Sequence, residues 1–129
     1  MIYLDTSVAL AHLLAEDREP PASLWENDLV ASRLLVYELW SRVHAMDLAR
    51  SHGDAVRALL SRLAFLDLAP AVLERALHPF PTPVRTLDAL HLASIAFLAD
   101  RGHEVALASY DTRMRSAAAA MGIALHPLP

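Results

Sequence analysis

The chain contains no cysteine, which excludes disulfides and thiolate-held metal ions alike. It contains no lysine either: the 11 basic residues are all arginine, set against 15 Asp and Glu for a net charge of −4. Any side-chain cation that touches phosphate must therefore be Arg, whose planar fork pairs with phosphate or carboxylate bidentately. The acidic balance argues against a protein that coats nucleic acid by charge alone. It leaves room for an enzyme that holds nucleic acid through bound metal ions. No uninterrupted apolar run approaches the roughly 18 residues of a membrane helix. The longest such stretch, Ala89 to Ala99, is broken by His91 and Ser94. No basic leader precedes the N-terminal strand, which ends on Asp5, so a cytoplasmic protein without membrane attachment is expected. The histidines show no H-E-x-x-H spacing, and neither a G-x-S-x-G elbow nor a phosphate-binding glycine loop occurs, so three common hydrolase and nucleotide-binding chemistries are not indicated.

What remains is 129 residues, 55% of them hydrophobic. That length suits one domain over 1–129, at about 100–200 residues per domain. The apolar surplus fits a core rich in Ala and Leu, or a surface covered by a second copy or a partner. Low complexity is confined to Ala117–Ala120, and there is no internal repeat.

Short apolar runs alternate with helical stretches. Residues 1–5 read as a strand, followed by a helix capped by Thr6 or Ser7 and running to about residue 15. Glu16–Pro21 is a polar break. A short helix at 22–26 and a strand at 29–31 follow. Ser32 then caps a long helix over about 33–50, which Ser51-His52-Gly53-Asp54 separates from another at 55–63. A strand at 65–68 leads to a helix over 70–77 that begins with Pro70. After the proline loop 79–83, Thr86 caps a helix ending near Asp100 and stopped by Gly102. Strand 104–108, a helix led in by Asp111 or Thr112 and closed by Gly122, and strand 123–125 complete the chain. Alternation of this kind predicts an α/β protein with a short parallel sheet covered on both faces.

Within that pattern four acids are out of place. Ligands in such folds collect beyond the carboxyl ends of strands. Asp5 stands at one such end and Asp111 at another, each just before a helix, where a helix cap is the simpler role. Glu38 is the only polar residue in Leu34–Trp40, so an ionised side chain there is unfavourable unless its charge is matched. Asp47, later in the same expected helix, falls on the wet side. Asp88 repeats the apolar pattern within Thr86–Ala93, although a first-turn carboxylate also suits the helix dipole. Carboxylates brought together repel and raise one another's pKa. A hard divalent cation, Mg²⁺ or Mn²⁺, resolves the conflict and suits water-driven attack on a phosphodiester. Asp67 also has apolar neighbours but sits in a strand, and is left out of the set.

The four acids sit in segments that resemble the PIN-domain family, and within it the VapC-like ribonuclease toxins of bacterial and archaeal toxin–antitoxin pairs. Ile2-Tyr3-Leu4-Asp5-Thr6-Ser7 is similar to the family's opening strand and first acid. Ser32–Leu39 is similar to its second motif and Leu87-Asp88-Ala89-Leu90-His91-Leu92-Ala93 to its third, the most specific of the four. Ala108–Met114 is similar to the fourth. The likeness spans Met1 to Leu128. It implies a three-layer α/β/α PIN-like fold and a metal-dependent endoribonuclease using one or two Mg²⁺ or Mn²⁺ ions. Asp5, Glu38, Asp88 and Asp111 would be the catalytic and metal-holding acids. It further implies a homodimer, an RNA substrate and a cognate VapB-like antitoxin.

Thr6 and Ser109 are hydroxyls beside the acids, able to orient a carboxylate or a water from behind. Arg113, Arg115 and Arg85 are the candidate phosphate contacts. His91, one helical turn from Asp88, reads as a packed or supporting residue rather than a ligand. Two rival functions stand beside the nuclease. A catalytically silent PIN-like binding scaffold would show a lost acid, and none is lost. A small-molecule phosphohydrolase would begin D-x-D, and Asp5-Thr6-Ser7 does not.

Overall fold

The protein is described by a computed structural model covering residues 1–129. Five strands form one sheet: β1 (Ile2–Leu4), β2 (Leu29–Ser32), β3 (Ala64–Leu66), β4 (Ala106–Ala108) and β5 (Ala124–Leu125). Their order across the sheet is β3-β2-β1-β4-β5, and every pairing is parallel. β1 lies in the middle, with Ile2 opposite Leu29 on one side and Ala106 on the other. The helices are α1 (Thr6–Leu13), α2 (Leu34–Ala45), α3 (Ala49–Leu60), α4 (Pro70–Leu77), α5 (Thr86–Asp100) and α6 (Thr112–Ala120), with a 3₁₀ turn at Ala22–Glu26.

The layers follow from strand alternation. Successive side chains point to opposite faces of a strand. Ile2, Leu4, Leu29, Ala31 and Ala108 accordingly pack with Val8, Leu13, Leu35, Leu39, Val43, Val56 and Leu59 of α1, α2 and α3. Tyr3, Val30 and Leu107 face the other way, onto Leu92, Ile95 and Leu98 of α5 and Met114, Ala117 and Ala118 of α6. α4 packs along α5. The result is the expected three-layer α/β/α arrangement. With both faces covered, β1 and β2 are buried along their whole length, as parallel strands are. No helix is long and apolar enough to cross a membrane.

Several details differ from the sequence expectation. The break between α2 and α3 falls at Met46–Leu48, and Ser51–Asp54 lies inside α3. Asp47 takes a left-handed backbone (φ 55°), its N–H bonds the His44 carbonyl at 3.0 Å, and the Leu48 N–H bonds the Val43 carbonyl at 2.9 Å. That paired closure ends a helix without needing glycine, since Asp tolerates the left-handed region. Gly53 meanwhile stays helical, at the usual penalty of roughly 1 kcal/mol against alanine. Asp47 is exposed, but beyond the helix rather than on its far side. The cap of α1 is Asp5, not Thr6 or Ser7. Thr86 is the first helical residue of α5 and provides no side-chain cap. The cap position of α2 is held by Arg33, without a side-chain cap bond, and Ser32 stands one residue before it, its Oγ accepting from the Leu34 N–H at 3.1 Å.

Candidate active site

Strand order reverses at β1, whose neighbours β2 and β4 lie on opposite sides. The crevice outside the carboxyl ends of β1 and β4 is where an open α/β sheet binds ligands. Asp5 follows β1 directly and is buried; Asp111 lies just beyond β4. The two are joined through one side chain. Ser109 Oγ donates to Asp5 Oδ2 at 2.8 Å and accepts the Asp111 N–H at 3.0 Å. Ser7 supplies a second hydroxyl to Asp5 Oδ2 at 2.6 Å, and its oxygen accepts the Tyr110 N–H at 3.0 Å. Asp111 Oδ1 caps α6 by accepting from the N–H groups of Arg113 (2.9 Å) and Met114 (3.2 Å).

Glu38 reaches the same region from α2. Its Oε1 accepts from Thr6 Oγ1 at 3.0 Å, which ties it to the residue after Asp5, and is 2.6 Å from His91 Nε2. Asp88 enters from the first turn of α5. Its pKa is raised above the usual carboxylate range, chiefly by burial, then by the charges of Asp111 and Asp5; Arg113 and His91 act in the opposite sense. Asp88 therefore shares a field with two of the other acids. Each of Asp5, Glu38 and Asp111 has one oxygen held by the chain. Their second oxygens have no partner in the chain, and none of these is among the sealed polar atoms, so they remain open to solvent or to an ion.

The chain's ion pairs are Arg33–Asp67, Arg57–Asp54, His78–Glu74 and His91–Glu38. Asp5, Asp88 and Asp111 take part in none of them. Free of ion pairs, oxygen-only and mutually repelling, the set has the chemistry a hard divalent ion prefers. It is gathered rather than clamped: no three His, Asp or Glu side chains stand close enough to hold a metal ion between them. Mg²⁺ does not require such a trio, since it retains several waters and is held through one or two carboxylates. The residues fit such an ion on these grounds. A cavity of ≈ 660 Å³ opens beside them, lined by Ser7, Arg18, Tyr110 and Asp111 among others. A second cavity of ≈ 700 Å³ lies at the amino ends of β1 and β4 and contains none of the four acids.

Of the candidate cations, Arg113 is exposed and acts on Asp88 through its charge. Arg115 Nη1 donates to the Ser109 carbonyl at 3.2 Å, bracing the loop that carries Ser109 and Asp111. Arg85 stands exposed just before α5. Asp67 is outside the crevice. It lies beyond edge strand β3, largely exposed, with Arg33 Nε 2.7 Å away. Asp67→Asn is expected to change stability by no more than about 1 kcal/mol, as for a surface ion pair; denaturant melts of the variant beside wild type check this.

Two contributions escaped the sequence reading. Ser7 is bonded to Asp5 as closely as Ser109 is, and the hydroxyl pair Thr6-Ser7 after an acid was the available signal. Tyr3 Oη accepts the Ser32 N–H at 3.2 Å and meets His91 Nδ1 at 2.7 Å. Burial pushes the Tyr3 phenol well above its ordinary pKa, so it stays protonated.

A parallel sheet between helical layers, with carboxylates gathered where its strand order reverses, defines a three-layer α/β/α domain with an acidic crevice. The sequence matches the PIN domain family over residues 2–120, and the chain belongs to that family. Ribonuclease VapC46 of Mycobacterium tuberculosis (strain ATCC 25618 / H37Rv) is 36% identical over 129 residues, covering 96% of this chain and 95% of that protein. Among solved structures, VapBC2 from Rickettsia felis, bound to a DNA fragment from the promoter, aligns over 100% of both chains with a TM-score of 0.73 at 17% identity. A toxin–antitoxin complex from Klebsiella pneumoniae aligns over 88% of each chain with a TM-score of 0.63 at 16% identity. These two structural likenesses bear on the fold alone.

Proposed function

We propose that residues 1–129 form one nuclease domain, a VapC-like toxin that hydrolyses RNA internally with the help of Mg²⁺ or Mn²⁺. The observation that carries this reading is the shared field of Asp5, Asp88 and Asp111 at the reversal of strand order, with none of the three in an ion pair. The name of the relative VapC46, a ribonuclease, supports the same reaction class. Asp5, Glu38, Asp88 and Asp111 would hold one or two ions through their free carboxylate oxygens. When bound, the ion supplies positive charge toward the phosphate and makes a water more acidic. The chain's own part is to aim those oxygens. Ser7 and Ser109 fix Asp5, Thr6 and His91 fix Glu38, and the α6 backbone fixes Asp111. Arg113, Arg115 and Arg85 are the proposed phosphate contacts, Arg113 the best placed because its charge already reaches Asp88.

A VapB-like antitoxin is the proposed neutralising partner, in keeping with the solved toxin–antitoxin complex of like fold. A homodimer belongs to the same proposal. Leu73 and Leu77, one turn apart on α4, and Leu87 at the start of α5 are exposed, and an interface would cover them. With RNA as substrate, the place of action would be the cytoplasm. The complete set of acids gives the silent-scaffold alternative no support.

The test is cleavage of total RNA by purified protein with and without Mg²⁺ or Mn²⁺, followed by mapping of the ends. Cleavage only with the ion is expected. Either ion should also raise the melting temperature, because ligand that binds only the folded state stabilises it by about 2.7 kcal/mol at a hundredfold excess over Kd. Cleavage indifferent to chelation, or an unchanged melt at millimolar ion, would refute the metal assignment.

A further inference from the structure

Glu38 is oriented by a hydrogen-bonded chain that runs through the whole sheet layer. It begins at the Ser32 backbone N–H at the end of β2. It passes through Tyr3 Oη in β1 (3.2 Å) and His91 Nδ1 in α5 (2.7 Å), and leaves His91 Nε2 for Glu38 Oε1 in α2 (2.6 Å). Tyr3 is fully buried and His91 is 1% exposed, so water does not compete for these bonds. One assignment satisfies all three with a neutral phenol and a neutral imidazole. The Ser32 N–H can only donate, so Tyr3 Oη accepts it and turns its own proton to His91 Nδ1. His91 then carries its proton on Nε2 and donates it to Glu38. The backbone of β2 thus sets the imidazole tautomer, which places a donor on Nε2 against Glu38 Oε1. Thr6 Oγ1 donates to the same Oε1, so both donors converge on one oxygen and leave Oε2 free.

We propose that Tyr3 and His91 are positioning residues that hold the Glu38 carboxylate in its ion-binding orientation. Neither touches the reacting atoms; they act through Glu38. A hydroxyl and an imidazole amid the aliphatic core of β1 and α5 are poor packing choices unless both find partners, and each finds its partner in the other. Groups that orient a ligand from behind typically change metal affinity 10–100-fold when removed. The proposal rests on the divalent-ion reading above.

The experiment is calorimetric titration of Mn²⁺ alone into purified wild type, His91→Leu, His91→Gln and Tyr3→Phe, with melts and RNA-cleavage kinetics on the same preparations. His91→Leu and Tyr3→Phe are expected to raise the Mn²⁺ dissociation constant about tenfold or more and to lower kcat, with KM for RNA little changed. His91→Gln offers an amide N–H to Glu38 and a carbonyl to Tyr3, and is expected to recover most of that loss. A folded His91→Leu or Tyr3→Phe protein with wild-type Mn²⁺ affinity would overturn the proposal. So would a His91→Gln variant as impaired as His91→Leu, with losses that track melting temperature, because packing would then be the cause. Wild type that neither binds Mn²⁺ nor cuts RNA would sink the nuclease reading, and this inference with it. A competent wild type with indifferent variants sinks this inference alone.

Discussion

Asp5→Asn is expected to reduce metal-dependent RNA cleavage by about a thousandfold or more, the scale of the several kcal/mol that a correctly held ion contributes to charge stabilisation. The fold should survive. Asn is as good a helix cap as Asp, so the start of α1 is preserved, and its amide oxygen can still accept from Ser7 and Ser109 as Asp5 Oδ2 does. What is lost is the charge. The metal-free variant should therefore melt at or slightly above the wild-type temperature, because a repelling group has gone, while the increment on adding Mg²⁺ shrinks sharply. Single-turnover cleavage and paired melts with and without the ion measure both parts. Activity within severalfold of wild type would remove Asp5 from the site.

Asp88→Asn should have a comparable effect on cleavage and a clearer one on stability. Burial and the charges of Asp111 and Asp5 raise the Asp88 pKa above 3.8. The folded protein therefore holds this proton more tightly than the unfolded chain does. Below the unfolded-chain value the carboxyl is protonated in both states and the penalty is absent. As pH rises through the folded value, ionisation erodes stability, and at neutral pH the full penalty applies. The Asn variant escapes it. Metal-free Asp88→Asn is thus expected to be more stable than wild type near neutrality and equal to it in acid. Saturating Mg²⁺ should reverse the neutral-pH order, because the ion relieves the wild type. Denaturant melts at acid and neutral pH, with and without Mg²⁺, read all of this. A variant less stable than wild type at neutral pH without ion would show that Asp88 is a structural partner and not an unpaired charge.

The sheet was legible because its strands are short apolar runs separated by helices with recognisable ends. Pro70 starts α4, and Gly102 and Gly122, both with positive φ, end α5 and α6. The placement of Asp5 and Asp111 beyond strand ends could be read for the same reason. The α2–α3 boundary could not, because its closing residue is an aspartate in a left-handed backbone while the nearby glycine is helical. The separation of Asp67 from the other acids was legible only as a guess from strand periodicity; its partner Arg33 is distant in sequence. The Tyr3–His91–Glu38 chain was out of reach altogether. Its members sit on three elements, and only the strand order brings β1, α2 and α5 together at that depth. In sequence, Tyr3 is one more apolar strand residue and His91 an interruption in an apolar helix.

The central position of β1 also governs when the crevice can exist. The earliest strand in chain order is flanked by β2 on one side and, on the other, by β4, which follows almost the whole remaining chain. Pairings between such remote segments form slowly, because the intervening loop must be closed before any contact repays it. A chain still being translated therefore carries Asp5 long before Ser109 and Asp111 have emerged to meet it. Assembly of the acids must wait until β4 and the loop that carries Ser109 and Asp111 have been made.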